Sequence, residues 1–206
     1  MWLEVFKQTG ALWLHDNNPQ RPHALLTSGL HSNGFVNCSL IIRNPALLEK
    51  ACWHLANQAN WLHNCPYDMV IGSAMGGVTL AYQLALSMEK EAGFTEKVDN
   101  QMLLKRFPLK PGTRVLMVED VMTTGKTTRQ SIAGISEAGG IVSHTILALV
   151  NRSGLSDLDG RKIISLIAPQ IDTWQPQDCP LCLAGSEAIR PKGREEWLRL
   201  RGNYPV

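Results

Sequence analysis

Twice between residues 69 and 139, a short apolar run ends in a glycine-containing loop that opens onto a helical stretch. MVIGS (69–73), AMGG and VTLAYQLALSMEKEA (78–92) form the first unit; RVLMVE (114–119), DVMTTGKT and TRQSIAGISEAG form the second. Two further apolar runs follow, TILALV (145–150) and KIISLIA (162–168). Strands this short and apolar, alternating with helices, are buried on both faces. They predict an α/β fold with a mainly parallel central sheet flanked by helices. Ligands of such sheets bind beyond the carboxyl ends of the strands. Both glycine loops fall at those ends, as does Arg152 after the third strand.

The flanking segments are less regular. Residues 2–14 predict a short amphipathic helix with Leu3, Phe6 and Leu14 among its apolar positions. Segment 24–42 reads as an irregular loop followed by a strand. Pro45 opens a helix along which Leu48, Ala51, Leu55, Ala59 and Leu62 recur at helical spacing. Residues 95–108 predict a β-ribbon or mobile loop. The tail after Pro169 carries several prolines, a CPLC turn and a short charged helix.

Composition narrows the function classes. Lys plus Arg total 20 against 18 Asp plus Glu, a net charge of +2, so nothing indicates a nucleic-acid or membrane surface. No run of about 18 apolar residues occurs, and the first residues include Glu4 rather than a secretion signal. The expectation is a cytoplasmic protein whose five cysteines are free thiols. Cys179 and Cys182 form a single C-x-x-C. No second ligand pair has matching spacing, so a structural turn is expected and no metal site from a direct side-chain cluster. His15, His23, His31, His54, His63 and His144 are dispersed without an HxxxH pair, and His31 reads as a surface histidine.

The loop after the second strand carries the chemistry. Glu119 and Asp120 end the strand; Val121, Met122, Thr123, Thr124, Gly125, Lys126 and Thr127 lead into the helix. Amides at a helix start, with threonine hydroxyls beside them, make an anion cradle favoured by the helix dipole. Adjacent carboxylates suit a sugar diol or a hydrated magnesium ion. A ribose bearing a phosphate satisfies both halves. GKTT also invites a nucleotide-binding P-loop, but that pattern needs a glycine five positions before Gly125, where Asp120 stands. The P-loop is excluded.

Residues 119–127 resemble the phosphoribosyl-pyrophosphate (PRPP) signature of the type I phosphoribosyltransferases, an acidic pair followed by a TTG-type loop. Four further segments are similar to the orotate branch of that family. Leu26-Thr27-Ser28-Gly29-Leu30-His31-Ser32, followed by Phe35 and Val36, matches its N-terminal segment, where an aromatic residue helps hold the flat base. Gly72, Ser73, Ala74, Met75, Gly76 and Gly77 match its pyrophosphate loop, and Arg152 its site for the orotate carboxylate. The CPLC tail matches one bacterial subgroup. Each match alone has a plainer reading: Phe35 as core, 72–77 as a tight turn, Arg152 as a surface arginine.

The resemblance implies a single domain over 1–206 with a small hood and tail at 1–44 and 169–206, PRPP and orotate as substrates, Mg2+ arriving with PRPP, and a homodimer. It also implies that Glu119 and Asp120 face the ribose and that Phe35, Val36, Thr123 and Arg152 hold the base. The family's catalytic loop, an Arg-x-x-x-Lys-type run followed by His and glycines, aligns with 94–102. There Lys97 is the catalytic candidate, while the arginine, histidine and glycine hinge are missing. The alternatives are transfer to another base or PRPP binding without catalysis.

Overall fold

A computed structural model describes residues 1–61, 65–106 and 108–202; Leu62, His63 and Phe107 lie outside them. The chain divides into two compact units, Met1–Leu40 with Gln170–Val206, and Ile41–Pro169.

The expected helix over 2–14 is shorter. Helix α1 spans Trp2–Gln8, and Gly10, at φ +74°, ends it in a conformation that a side chain resists. The chain then forms β1 (Leu12–Leu14), β2 (His23–Leu25), β3 (His31–Ser32) and β4 (Gly34–Val36). The segment read as an irregular loop thus contributes three short strands before α2 (Ser39–Ile42).

In the larger unit, α3 (Pro45–Gln58) begins with Pro45 at its first position and an Asn44 side chain accepting from the Leu47 amide. Then come β5 (Met69–Ser73), α4 (Gly76–Met88), β6 (Glu91–Val98), β7 (Gln101–Leu103), β8 (Arg114–Met122), α5 (Lys126–Glu137), β9 (Ile141–Asn151), β10 (Asp157–Leu158) and β11 (Arg161–Ile167). The sheet order is β10-β11-β9-β8-β5-β6-β7; the inner five strands are mutually parallel, and β10 and β7 are antiparallel edges. This is the mainly parallel sheet flanked by helices that the alternation predicts.

Residues 89–92, expected in the helix, are not helical. Glu89 turns left-handed at φ +55°, and Glu91 already pairs with Met69 of β5. Glu, Lys and Ala favour helix in isolation, but strand pairing beside β5 overrides that preference. The core on the α5 face joins Met69, Ile71, Val115, Met117, Ile135 and Ile146.

The tail adds β12 (Thr173–Trp174), a 3-10 turn (Pro176–Asp178), α6 (Pro180–Leu183), β13 (Ala188–Ile189) and α7 (Arg194–Arg201). Within its unit, β12-β3-β2-β13 form one sheet. His31 is not a surface residue: it is buried beside the fully buried His23. Desolvation first, then the neighbouring His31 and His15, push His23 down to about 4. The His23 and His31 ring nitrogens lie with the Cys179 and Cys182 sulfurs in one cluster of four candidate metal ligands, against the expectation that no side-chain cluster of this kind forms. Histidines on a hairpin and cysteines in a tail reveal no shared spacing until the fold joins them. Among the described residues, no helix is long and apolar enough to cross a membrane.

Candidate functional site

Alternation along β8 sets the geometry of the acidic pair. Successive side chains of a strand point to opposite faces, so Glu119 and Asp120 diverge. Glu119 lies on the α5 face and is only 4 % exposed; its Oε1 accepts from Ser73 Oγ at 2.7 Å and Thr128 Oγ1 at 2.9 Å. Asp120 turns toward the start of α4, and its Oδ1 accepts the Val121 amide at 2.8 Å. A Cβ on Gly76 would overlap the Asp120 carboxylate, so the absence of a side chain there leaves the carboxylate its place. The sequence reading treats the pair as one diol-binding unit. The structure instead buries one carboxylate among hydroxyls and half-opens the other.

Burial raises Glu119 to about 7, opposed by its two hydroxyl donors. Burial also raises Asp120, against the pull of backbone amides. A carboxyl whose folded value exceeds its unfolded one holds its proton more tightly in the folded state. Its contribution is therefore fully present below about 4.5 and is lost as pH rises through about 7. The ligand-free protein should lose up to about 1.4 kcal/mol of stability per pH unit across that window. Glu119→Gln should flatten the slope in chemical denaturation followed from pH 5 to 8; an unaltered slope would assign it to other groups.

Beyond β8 the loop stays open. Thr123, Thr124, Lys126 and Thr127 are exposed, while Gly125 is buried at φ +74° as the N-cap of α5. A Cβ on Gly125 would crowd Leu158 at 2.5 Å. Arg129 braces the turn, donating to the Thr124 carbonyl at 3.0 Å while paired with Asp159 at 2.8 Å. The amides of the first helical turn have no partner within the helix, and they open onto the cavity with the dipole's positive end.

The loop at 72–77 forms the opposite wall. A Cβ on Gly72 would collide with the Gly77 carbonyl, so these two glycines let β5 and the start of α4 meet backbone to backbone. The Ala74–Met75 peptide is cis, and the Ala74 amide donates to the Thr95 carbonyl at 2.8 Å. Ser73–Gly76, Glu119–Val121 and Thr123–Thr128 together line one cavity of about 250 Å³.

Other predicted site residues lie elsewhere. Met122 is a correction: it is 1 % exposed and belongs to the core. Arg152 is partly buried, and burial lowers its pKa. Its amide donates to the Met122 carbonyl at 2.8 Å, which sets it beside the end of β8. Phe35 and Val36 belong to the smaller unit, where Phe35 packs against Trp197 at 5.4 Å. Lys97 is exposed on β6, opposite Met102 of β7, and does not line the cavity. The region forms the β-ribbon of the two readings, with Asp99 and Asn100 closing a two-residue hairpin in left-handed conformation at φ +45° and +68°. Arg106 is paired with Glu96 at 2.9 Å.

Three polar residues to which the sequence assigns no separate role also shape the site. Thr128 holds Glu119. Ser131 bridges Ser73 at 2.9 Å and Thr95 at 2.7 Å, so a buried hydroxyl chain ties β8, β5 and β6 to α5. The available signal was spacing: Thr128, Ser131 and Ile135 fall on one helical face, an inward stripe that begins polar. The Asn151 side chain accepts from Ser153 and donates to the Leu155 carbonyl, shaping the turn after Arg152.

Comparisons with known proteins bear on this arrangement. The phosphoribosyl transferase domain model matches residues 41–181. An orotate phosphoribosyltransferase of Carboxydothermus hydrogenoformans is 37% identical over 174 residues, which cover 84% of this chain and 90% of the relative. That of Desulforamulus reducens is 34% identical over 194 residues, covering 94% and 96%. The crystal structure of orotate phosphoribosyltransferase from Aeropyrum pernix superimposes with a TM-score of 0.67 at 27% identity, covering 82% of this chain and 93% of that one.

Proposed function

The chain belongs to the orotate phosphoribosyltransferase family, and we propose that it transfers the 5-phosphoribosyl group of PRPP to N1 of orotate, giving orotidine 5′-monophosphate and pyrophosphate. The observation that carries this reading is the single cavity between the 73–76 loop and residues 119–128, with an open helix start on one wall and a carboxylate beside it.

In this reading the amides and hydroxyls of Thr123–Thr127 hold the 5′-phosphate. Asp120 faces the ribose diol, with Glu119 behind it as part of the hydroxyl chain. The small residues at 72–77 let backbone approach the diphosphate. Orotate N1 attacks C1′ as the C1′–O bond breaks; the bonding electron pair leaves with pyrophosphate, and the N1 proton passes to the departing diphosphate or to solvent. Positive charge develops on the ribose and is stabilised by carboxylate placed in advance. Holding the two reactants in line supplies much of the remaining acceleration.

The carboxylate and hydroxyl oxygens of Ser73, Glu119, Asp120 and the threonines along the cavity fit a hard cation. Magnesium bound with the diphosphate beside Asp120 would offset the charge gathering on the leaving group. Lys97, as the one cation the family's loop pattern keeps here, is the candidate to cover that group. A homodimer and a cytoplasmic location complete the proposal, supported by family membership and by the absence of a membrane-crossing helix among the described residues.

Arg152 is assigned to the orotate carboxylate, which a guanidinium fork matches in geometry. Arg152→Ala should raise KM for orotate by about 10- to 100-fold, the loss of a charge-assisted bond, with KM for PRPP little changed. Equal rises in both would overturn the assignment. The test of the whole reading is orotate consumption with PRPP and magnesium. Pyrophosphate release with a different base, but not with orotate, would select that base. PRPP binding without turnover would select a sensing role, and no PRPP binding would reject all three readings.

A further inference from the structure

His23 of β2 and His31 of β3 sit diagonally on one face of a hairpin, since Leu25 pairs with His31 and Ala24 with Ser32. Cys179 precedes α6 and Cys182 lies within it. The ligand atoms of all four lie within 4.8 Å of one another. Cys182 Sγ is 3.2 Å from His31 Nδ1 and 3.5 Å from His23 Nε2; Cys179 Sγ is 3.6 Å from His23 Nε2; the two ring nitrogens are 2.9 Å apart. Around a tetrahedral zinc ion with bonds of about 2.3 Å to sulfur and 2.05 Å to nitrogen, sulfur–nitrogen edges are about 3.5 Å and the nitrogen–nitrogen edge about 3.3 Å. The four side chains already stand near the corners of that tetrahedron.

Hydrogen bonding alone leaves this cluster under-satisfied. Ser186 Oγ donates to the Arg21 carbonyl at 2.6 Å, so at its 2.8 Å contact with His23 Nδ1 it accepts the ring proton. That fixes the tautomer and leaves Nε2 as a bare lone pair. Three polar atoms crowd that lone pair, yet it can accept only one hydrogen. A cation uses every one of them. The Ser186 bond is also the outer-shell contact by which proteins orient a ligating imidazole.

We infer that His23, His31, Cys179 and Cys182 bind one structural zinc ion that fastens the N-terminal hairpin to the C-terminal tail. Thiolate and imidazole donors without any carboxylate select zinc over magnesium or calcium. Four protein ligands, three of them buried, leave no open position for chemistry. Binding releases the two thiol protons to solvent, and two thiolates then balance Zn2+, so the buried site carries no net charge. Three of the four ligands, His23, His31 and Cys182, lie outside the matched family region 41–181, and all four belong to the smaller unit.

The test uses full-length protein purified under reducing conditions without added chelator. Elemental analysis should find close to one zinc per chain. Replacement by Co2+ should give the visible absorption of a tetrahedral thiolate site; Cys182→Ser should weaken it and Cys179→Ser with Cys182→Ser should abolish it. Should the variants not fold, wild-type protein suffices: zinc should shield two of the five cysteines from a thiol reagent, and a chelator should expose them and lower the melting temperature. Reduced protein that holds neither zinc nor cobalt would overturn the inference. So would a Cys179–Cys182 disulfide in protein purified without reductant, which would assign the pair to redox chemistry. None of these readouts depends on PRPP or orotate.

Discussion

Asp120→Asn should lower kcat/KM for PRPP by about 100-fold or more, on the order of 3 kcal/mol of transition-state stabilisation, while leaving the melting temperature nearly unchanged. The substitution keeps the shape of the side chain, and the amide oxygen can still accept the Val121 N–H now bound at 2.8 Å. Only the negative charge goes. In the proposed reaction that charge faces a ribose acquiring positive character, so the loss should fall on the chemical step more than on folding. Steady-state kinetics paired with a thermal melt separates the two. Unchanged kcat/KM would show that the carboxylate has no part in the reaction, and the reading of the cavity would fail with it.

A pair of glycine substitutions should give the second large effect, in two different currencies. Gly72→Ala puts a methyl group into the Gly77 carbonyl, where backbone meets backbone and neither side can move cheaply. It should cost about 1–3 kcal/mol or more and lower the melting temperature by roughly 3–10 °C. Gly76→Ala instead meets the Asp120 carboxylate, the far end of a side chain that can swing away. It should fold almost normally and resemble Asp120→Asn in its kinetics. If both variants lose stability equally, the carboxylate is held more rigidly than its half-buried setting implies.

The parts of the fold legible in the sequence were those written locally. β5, β8, β9 and β11 are each built on a short, mainly apolar run, and the loops after β5 and β8 carry glycines that backbone contact and positive φ require. What stayed hidden depends on partners distant in sequence. The Glu-Lys-Glu-Ala stretch at 89–92 joins the sheet only because β5 lies alongside. The adjacency of Glu119 and Asp120 does not show that strand alternation points them to opposite sides of β8 although both line the cavity. Met122 shares the loop's sequence but not its surface, because it is the last residue of β8 and points into the core. His23 and His31 show no ligand spacing as text; a hairpin and a tail bring them to Cys179 and Cys182.

The β6–β7 hairpin has a consequence for how substrate binding energy is used. A strap that folds over its ligand must first be ordered, and that ordering subtracts from affinity. Here the connection is two residues long, pinned by the Lys97–Met102 pairing and the Glu96–Arg106 bridge. A connection this short presents Lys97 on paired strands, so bringing it to a ligand requires little further ordering of the chain.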